Sequence, residues 1–482
     1  MSKKLNKILS RYKNIYFVGI KGVGMTALAV LLKEAGVMVS GSDVADIFQT
    51  DEILNNYRIQ VKLGFKKDNL PSKTDLVIVS GAHGGMTNIE AMEAKKKGLA
   101  VMMHGQALGL FMDQFIGISV SGCHGKTTTS AMIATILQHG GLDPSFAIGC
   151  AKINPLGPAG HYGKGKYFVA EADEYMTCPV TDKTPRFFWQ NPKIAVINNI
   201  EFDHPDAYSD IIQVRDAFIT FSQKIHQGGL LVAGIDNDQV QILLKELKGR
   251  LPVATFGFSP SADYQVKNMR CFNQKIFFNI VYQKLILGEF SLNVPGFHNV
   301  LNATASFIVA NFLGINLNLI KEGLGSFLGT KRRFERIVQV GNTFLYDDYA
   351  HHPTEIEATL KTAKDFFPGR NIIVIFQPHT YSRTKALFNE FVKAFYKIPN
   401  TTIITDIFAS ARELTDKSIS SELLVQEILR YKKEVYYLPK KTDVLKFLAK
   451  RIKSQDVIFT IGAGDIYLWH EDIISLLKSK YG

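Results

Sequence analysis

The chain alternates short apolar runs with stretches in which apolar positions recur every three or four residues. Asn14–Ile20 is an apolar run ending just past a glycine, Met25–Ala35 has helical spacing, Val37–Ser40 is a second short strand and Asp75–Ser80 a third. This strand–helix–strand rhythm predicts a parallel sheet covered by helices. A second cycle opens at Phe115–Ser121, an apolar strand running into a glycine turn and a helical pattern over Thr127–Gln138, with strands following at Tyr167–Glu171 and Ile194–Asn199. From Tyr264 to Pro295 apolar residues alternate with period two, which predicts antiparallel β structure. A third cycle, from about Thr330, places strands at Phe344–Tyr346, Asn371–Phe376, Thr401–Thr405 and Val457–Ile461. The fold class expected is α/β, in three successive units at 1–114, 115–329 and 330–482.

Composition agrees with that picture. The 482 residues are 46% hydrophobic and 21% charged, the balance of a soluble globular protein of about three domains. No apolar stretch approaches the ~18 residues of a membrane span. Met1–Lys13 is basic and polar and lacks the apolar centre of a secretory signal, so a cytoplasmic protein without a membrane partner is expected. Cys123, Cys150, Cys178 and Cys271 are scattered, without C-x-x-C spacing, and read as free thiols in a reducing compartment. The formal charge of +12 is spread along the chain as a solvated surface would be. It also suits an anionic partner, and nucleotide diphosphates or ATP would satisfy it. No nucleic-acid-binding motif is present, so no nucleic acid partner is expected.

The chemistry concentrates at strand ends. Ser121-Gly-Cys-His-Gly-Lys-Thr-Thr-Thr129 follows a strand and opens a helix. There the backbone N–H groups from Gly122 through His124 and Gly125 to Lys126 can wrap a phosphate, helped by the helix N-terminus. Lys126 would neutralise the β/γ-phosphates, and Thr127, followed by Thr128, would ligate Mg²⁺. The ordinary Walker loop has a glycine where this chain has Val120, so the loop is a shorter variant.

Val169-Ala-Glu-Ala-Asp-Glu-Tyr175 ends another strand, and Asn198-Asn-Ile-Glu-Phe-Asp-His204 follows a third. Acidic runs are commonly solvated loops, and a histidine beside an aspartate is commonly structural. Next to a phosphate loop, a carboxylate and a histidine from these strand ends could instead hold a divalent metal, although Mg²⁺ prefers oxygen.

Near the N-terminus, Gly19-Ile-Lys-Gly22-Val-Gly24-Met25 has the form of a pyrophosphate cradle. Ser42-Asp43 ends the next strand, where an acidic residue often meets a ribose. Glycine turns of this kind also occur for packing alone. In the third unit, Asp347-Asp348-Tyr-Ala-His351-His-Pro-Thr-Glu355 and Phe376-Gln-Pro-His379-Thr-Tyr381-Ser-Arg383-Thr384 each follow a strand. Arg332 and Arg333 are placed to meet phosphate or carboxylate in a bidentate way. Gly462-Ala-Gly-Asp465 ends the last strand and allows close backbone approach.

The order of these motifs, with His298-Asn299-Val-Leu-Asn302-Ala303 and Arg332-Arg-Phe-Glu335, resembles the Mur ligase family over nearly the whole chain. The resemblance implies a Rossmann-like N-terminal domain binding the UDP-sugar (Gly19, Gly22, Gly24, Met25, Ser42, Asp43), a P-loop ATPase central domain, and a Rossmann-like C-terminal domain bringing the amino acid. It implies that Glu171 and His204 ligate Mg²⁺ with Thr127. Lys126, His298, Asn299, Asn302, Arg333 and Asp348 would serve ATP, and His351, His379, Tyr381 and Arg383 the amino acid or the muramyl carboxylate. The implied reaction is ATP-dependent addition of an amine to UDP-N-acetylmuramate through an acyl phosphate, in peptidoglycan synthesis, by a monomer or homodimer. Asp406-Ile-Phe and Ala411-Arg-Glu look most like the members that add L-alanine.

Three segments depart from that pattern. Cys123 stands where the family usually has Thr. Ser80-Gly-Ala-His-Gly-Gly-Met86 replaces the usual Ser-Ser-Ala-Ile. After Glu174 the chain runs Tyr175-Met-Thr-Cys-Pro-Val-Thr-Asp-Lys-Thr-Pro-Arg186, longer than in alanine-adding members and closer, like Asn198–His204, to the ligases that reattach a recycled tripeptide. The incoming amine therefore stays open between L-alanine and that tripeptide. Two other classes stay open as well. A nicotinamide oxidoreductase would use the first glycine loop but leaves the second loop unexplained, and a non-catalytic nucleotide switch would bind ATP without amine-dependent turnover.

Overall fold

The computed structural model describes residues 8–409 and 415–482. The start of the basic N-terminus and the Ala411-Arg-Glu motif lie outside the described residues. Contacts divide the chain into two units, residues 1–202, 207–293 and 299–330 in the first, and 203–206, 294–298 and 331–482 in the second.

The first unit contains two sheets. One has five parallel strands, Asn14–Val18, Met38–Asp43, Gln60–Leu63, Leu76–Val79 and Ala100–Met103, in the order third, second, first, fourth, fifth. Leu76–Val79 is buried at every position, as a central parallel strand covered on both faces must be. Gln60–Leu63 and Ala100–Met103 escape the sequence pattern because they are short edge strands whose residues are mostly half-exposed, so no continuous apolar run marks them.

The other sheet is built around Ile116–Ser121, with Tyr167–Glu171 on one side and Ile194–Ile197 on the other, all parallel. Beyond Ile194–Ile197 come Leu230–Gly234 and Val253–Gly257. The meander Tyr264–Phe272, Lys275–Tyr282 and Leu285–Leu292 follows, antiparallel as its period-two pattern predicts. Gly329–Thr330 closes the far edge against Ser145–Asn154, so Thr330 belongs to this sheet.

Helix Val23–Glu34 joins the two layers. Its residues from Met25 to Leu32 are all buried, because one face packs on the first sheet and the other on the second. Gly160 of the second sheet lies so close to the Ala27 carbonyl that any β-carbon there would overlap it.

The second unit has a six-stranded sheet in the order Glu335–Val340, Thr343–Asp348, Val457–Ile461, Ile372–Phe376, Thr401–Ile404, Val435–Tyr437, with only the first strand antiparallel. Its core on one face is aromatic: Phe344, Tyr346, Phe376, Phe391, Phe395 and Phe459. The sequence pattern misses the two outermost strands, which are mostly half-exposed. All four cysteines are free thiols, and no described helix is long and apolar enough to cross a membrane.

Candidate active site

Strand Ile116–Ser121 delivers the chain to Gly122, at φ 127°, and Gly125, at φ 81°, before helix Lys126–His139 begins. Gly125 sits in left-handed backbone, where a side chain is strained. Its β-carbon would also lie 2.5 Å from Asn302 Oδ1 and 2.9 Å from Asn198 Nδ2. The turn can therefore close only with glycine, and closing it brings Asn302 to the loop. Asn302 in turn donates to Asn299 at 3.0 Å, and both are buried.

The end of the neighbouring strand braces the loop. The Asn199 side chain accepts from the His124 N–H at 2.9 Å and donates back to the His124 carbonyl at 3.1 Å. Asn198 Nδ2 reaches the same carbonyl at 3.3 Å and Thr129 Oγ1 at 3.1 Å. The Cys123 thiol accepts the Glu201 N–H and donates to the Glu201 carbonyl, each at 3.1 Å.

Lys126 points at the acidic strand end. Its Nζ lies 2.9 and 3.1 Å from the two oxygens of buried Glu174 and 4.0 Å from Asp173. Burial works against the ammonium charge, but Glu174 first and Asp173 second outweigh it and hold the lysine protonated above its ordinary range. Glu171 ends strand Tyr167–Glu171 and pairs in register with Val120, just before the loop. Its carboxylate accepts the Gly149 N–H at 2.6 Å, and a β-carbon on Gly149 would crowd both oxygens at 3.0 and 3.1 Å.

These residues suit a hard cation. The Thr127 hydroxyl and Glu171 carboxylate are oxygen donors, and Asn198 Oδ1 is a buried acceptor with no hydrogen-bond partner among the described residues.

At the first glycine loop the geometry is less open than the sequence suggests. Asp43 is buried, accepts the Lys21 N–H at 2.7 Å and lies 3.4 Å from His83 Nε2. Burial raises its carboxyl above the usual range. Ser42 donates its hydroxyl to fully buried Glu90. Met25 faces the core, while Gly22 and Gly24 remain partly exposed. Asp43 and Ser42 thus shape the loop from beneath.

In the second unit, Arg332 is buried and holds Asp347 at 2.8 Å and the carbonyls of Gly464 and Gly462 at 3.1 and 2.5 Å. It fastens the Gly462–Asp465 loop. Arg333 stays half-exposed, 3.5 Å from Glu355 and over the Tyr349 ring. Asp348 accepts the Phe334 and Ala350 N–H groups at 3.0 and 2.8 Å, and burial pushes its carboxyl up to about 6. Glu355 is also the third residue of helix Pro353–Phe366. His352 caps that helix by accepting the Thr354 N–H, and Glu355 reaches back to the His351 N–H at 3.2 Å.

His351 and His379 meet edge to face, with ring centroids 5.8 Å apart. Burial, then Arg383, drives His351 down to about 3, so it is a neutral imidazole at ordinary pH. Arg383 is buried, paired with Asp203 at 2.8 Å and 3.4 Å from His379 Nδ1. Burial alone would raise Asp203, but His204 and Arg383 hold it well below the carboxylate range. Tyr381 opens the short helix Tyr381–Ala386 that carries Arg383. His298 is exposed at the start of helix Phe297–Phe312. Sequence reasoning assigned no role to Glu174, Asp203 or Glu355. Each stands inside a quoted motif, but only side-chain geometry shows what it pairs with.

Comparison with known proteins places this geometry in a family. Residues 14–116 match the model of the Mur ligase family catalytic domain, 120–310 the Mur ligase middle domain, and 332–464 the Mur ligase glutamate ligase domain. The UDP-N-acetylmuramate–L-alanine ligase of Desulfitobacterium hafniense is 38% identical over 94% of this chain and 98% of its own length. The crystal structure of UDP-N-acetylmuramate-alanine ligase from Thermotoga maritima is 27% identical, with a TM-score of 0.80 over 97% of this chain and 99% of that one. The UDP-N-acetylmuramate:L-alanyl-gamma-D-glutamyl-meso-diaminopimelate ligase from Neisseria meningitides is 29% identical, with a TM-score of 0.60 over 67% of this chain and 100% of that one. Three family models in sequence, together with relatives 38% identical over nearly the whole chain, show that this chain belongs to the Mur ligase family.

Proposed function

We propose that this chain is an ATP-dependent ligase that joins L-alanine to UDP-N-acetylmuramate in peptidoglycan synthesis, working in the cytoplasm. The observation that carries it is the Lys126 loop, built as a phosphate cradle in a chain similar over nearly its full length to ligases of that name.

The reaction needs two anions to meet. The substrate carboxylate attacks the γ-phosphorus of ATP, forming an acyl phosphate as the bond to the ADP oxygen breaks. The alanine amine then attacks the acyl carbon, loses a proton and expels phosphate. Lys126 offsets the phosphate charge, while Gly122, His124, Gly125, Thr127 and Thr128 shape the cradle. Asn299 and Asn302 serve the nucleotide, with His298. Thr127, Glu171 and His204 would hold Mg²⁺, which when bound supplies further charge neutralisation at the phosphates. From the second unit, Arg333 and Asp348 are assigned to ATP. Arg383, His379, Tyr381 and neutral His351 are assigned to the amino acid or the muramyl carboxylate. Gly19, Gly22 and Gly24 of the first loop, with Met25, Ser42 and Asp43, are assigned to the UDP-sugar. Functionally the chain divides at 1–114, 115–329 and 330–482, and works as a monomer or homodimer.

A second reading, attachment of a recycled tripeptide, is favoured by the hairpin formed by Met176–Cys178 and Asp182–Pro185, which occupies the lengthened stretch after Glu174. Phosphate release from ATP and Mg²⁺ with UDP-N-acetylmuramate, comparing L-alanine, L-serine, glycine and the tripeptide, decides between them. Release that depends on L-alanine supports the first reading. Release only with tripeptide moves the chain to the second, and none with any amine refutes both.

A further inference from the structure

Two of the segments that depart from the alanine-adding pattern pack against each other. A β-carbon on Gly81 would stand 2.7 Å from the Thr177 carbonyl oxygen and 3.3 Å from Arg186 Nη2, and one on Gly85 would overlap Cys178 Sγ. The glycine turn after strand Leu76–Val79 therefore seats the 176–185 hairpin, and Arg186 leaves that hairpin at a fixed place.

Arg186 is tied on several sides. Its Nε donates to the Met176 carbonyl at 3.2 Å, and its guanidinium lies over the Tyr175 ring at 5.7 Å. Its Nη1 holds Asp173 Oδ2 at 3.0 Å. The other oxygen, Asp173 Oδ1, accepts the Tyr175 N–H at 3.3 Å and stands 4.0 Å from Lys126 Nζ. Asp173 is thus shared between two cations, closer to Arg186 than to the phosphate-loop lysine.

We propose that Arg186 is a positioning residue for Lys126: by holding Asp173 it keeps a second carboxylate from joining Glu174 on the lysine, so that an incoming triphosphate has one carboxylate to displace and not two. The proposal rests on Lys126 binding ATP phosphate, as argued above. Without Arg186, Asp173 loses its 3.0 Å ion pair, while Lys126 Nζ stands 4.0 Å from its other oxygen. A carboxylate that closes from 4.0 Å to contact then competes directly with incoming phosphate. Neighbouring charges in one network couple in this way, so the two substitutions are not additive.

The experiment is a calorimetric titration of the full chain with ATP and Mg²⁺, without sugar nucleotide or amine. Arg186→Gln keeps the stem and a donor for the Met176 carbonyl but loses the charge, and is expected to weaken ATP binding about five- to tenfold. Arg186→Lys keeps the charge and is expected to stay within about twofold of the parent. Adding Asp173→Asn to Arg186→Gln is expected to restore binding, which a merely structural role for Arg186 would not do. Asp173→Asn alone is expected to bind ATP at least as tightly as the parent, and this variant tests the idea even if Arg186→Gln fails to fold. Unchanged binding in Arg186→Gln, a double variant no better than Arg186→Gln, or weaker binding in Asp173→Asn overturns the proposal. Phosphate release by the parent tests the ligase reading separately, so the two ideas fail on different measurements.

Discussion

Glu174, 1% exposed, holds the Lys126 ammonium with both carboxylate oxygens, at 2.9 and 3.1 Å. The pair makes two losses separable. Lys126→Met should lower kcat/KM for ATP by about 10²–10³, the usual scale for removing one preorganised group that meets developing charge. It should also cost about 3 kcal/mol of stability, because Glu174 keeps a buried charge without its closest cation. Adding Glu174→Gln should return most of the stability and none of the activity. Denaturant unfolding and steady-state kinetics on the same three proteins check this; recovery of activity in the double variant would remove Lys126 from the chemistry.

Asp348 gives a pH dependence with a definite sign. Its carboxyl is raised by burial to about 6 in the folded protein, from an ordinary value of 3.8. The folded state therefore holds a proton that the unfolded state releases, between about pH 4 and 6. This contribution to stability is greatest at the acid end of that window and falls as pH rises through it, by a total of about 3 kcal/mol. Asp348→Asn cannot titrate. Its stability relative to the parent should be poorest near pH 4 and should improve toward pH 7. Urea unfolding of both proteins across that range checks it, and a constant difference would mean Asp348 is ionised throughout.

The central parallel strands were readable because burial on both faces forces unbroken apolar runs: Tyr167–Glu171 and Val457–Ile461 have the limits expected from sequence. Edge strands such as Gln60–Leu63 were not, since half-exposed positions carry no such run. The site divides in the same way. A glycine loop between strand and helix announces itself in sequence, because only glycine permits the backbone of Gly125. Sequence could not say which of two adjacent arginines is buried. Arg332 and Arg333 read alike, and it is the position of Asp347 and of two carbonyls from residues 462 and 464 that commits Arg332 to the interior. Likewise sequence offers Asp43 as a ribose ligand but does not show that its carboxylate also accepts the Lys21 N–H.

Arg332 should accordingly behave as a fastener of the second unit. Its three contacts to Asp347, Gly462 and Gly464 use the fork of the guanidinium, which an ammonium cannot reproduce. Arg332→Lys should lose part of the stability, and Arg332→Met about 3 kcal/mol or more, because fully buried Asp347 then loses the guanidinium 2.8 Å from its carboxylate. Exchange of the backbone N–H groups around residues 462–465 should quicken in both variants. Normal stability and exchange in Arg332→Met would show that the carbonyls are held by something else.

Cys123 follows Gly122 in the turn after strand Ile116–Ser121, and its hydrogen bonds say what a threonine there would keep. The thiol accepts the Glu201 N–H and donates to the Glu201 carbonyl, both at 3.1 Å. A threonine hydroxyl can do both. Cys123→Thr should therefore keep kcat/KM for ATP within about twofold and stability within about 1 kcal/mol, the cost of a near-isosteric change with its polar partners kept. Cys123→Val has a similar volume but no donor or acceptor, so it removes both hydrogen bonds to the Glu201 backbone and should cost about 1–3 kcal/mol. Because Cys123 lies in the loop proposed to bind phosphate, with its own N–H bonded to the Asn199 carbonyl at 3.3 Å, that loosening should also raise KM for ATP. Denaturant midpoints and ATP kinetics on both variants check the argument. If valine proves as good as threonine, the thiol is packing material and the bridge to Glu201 holds nothing in place.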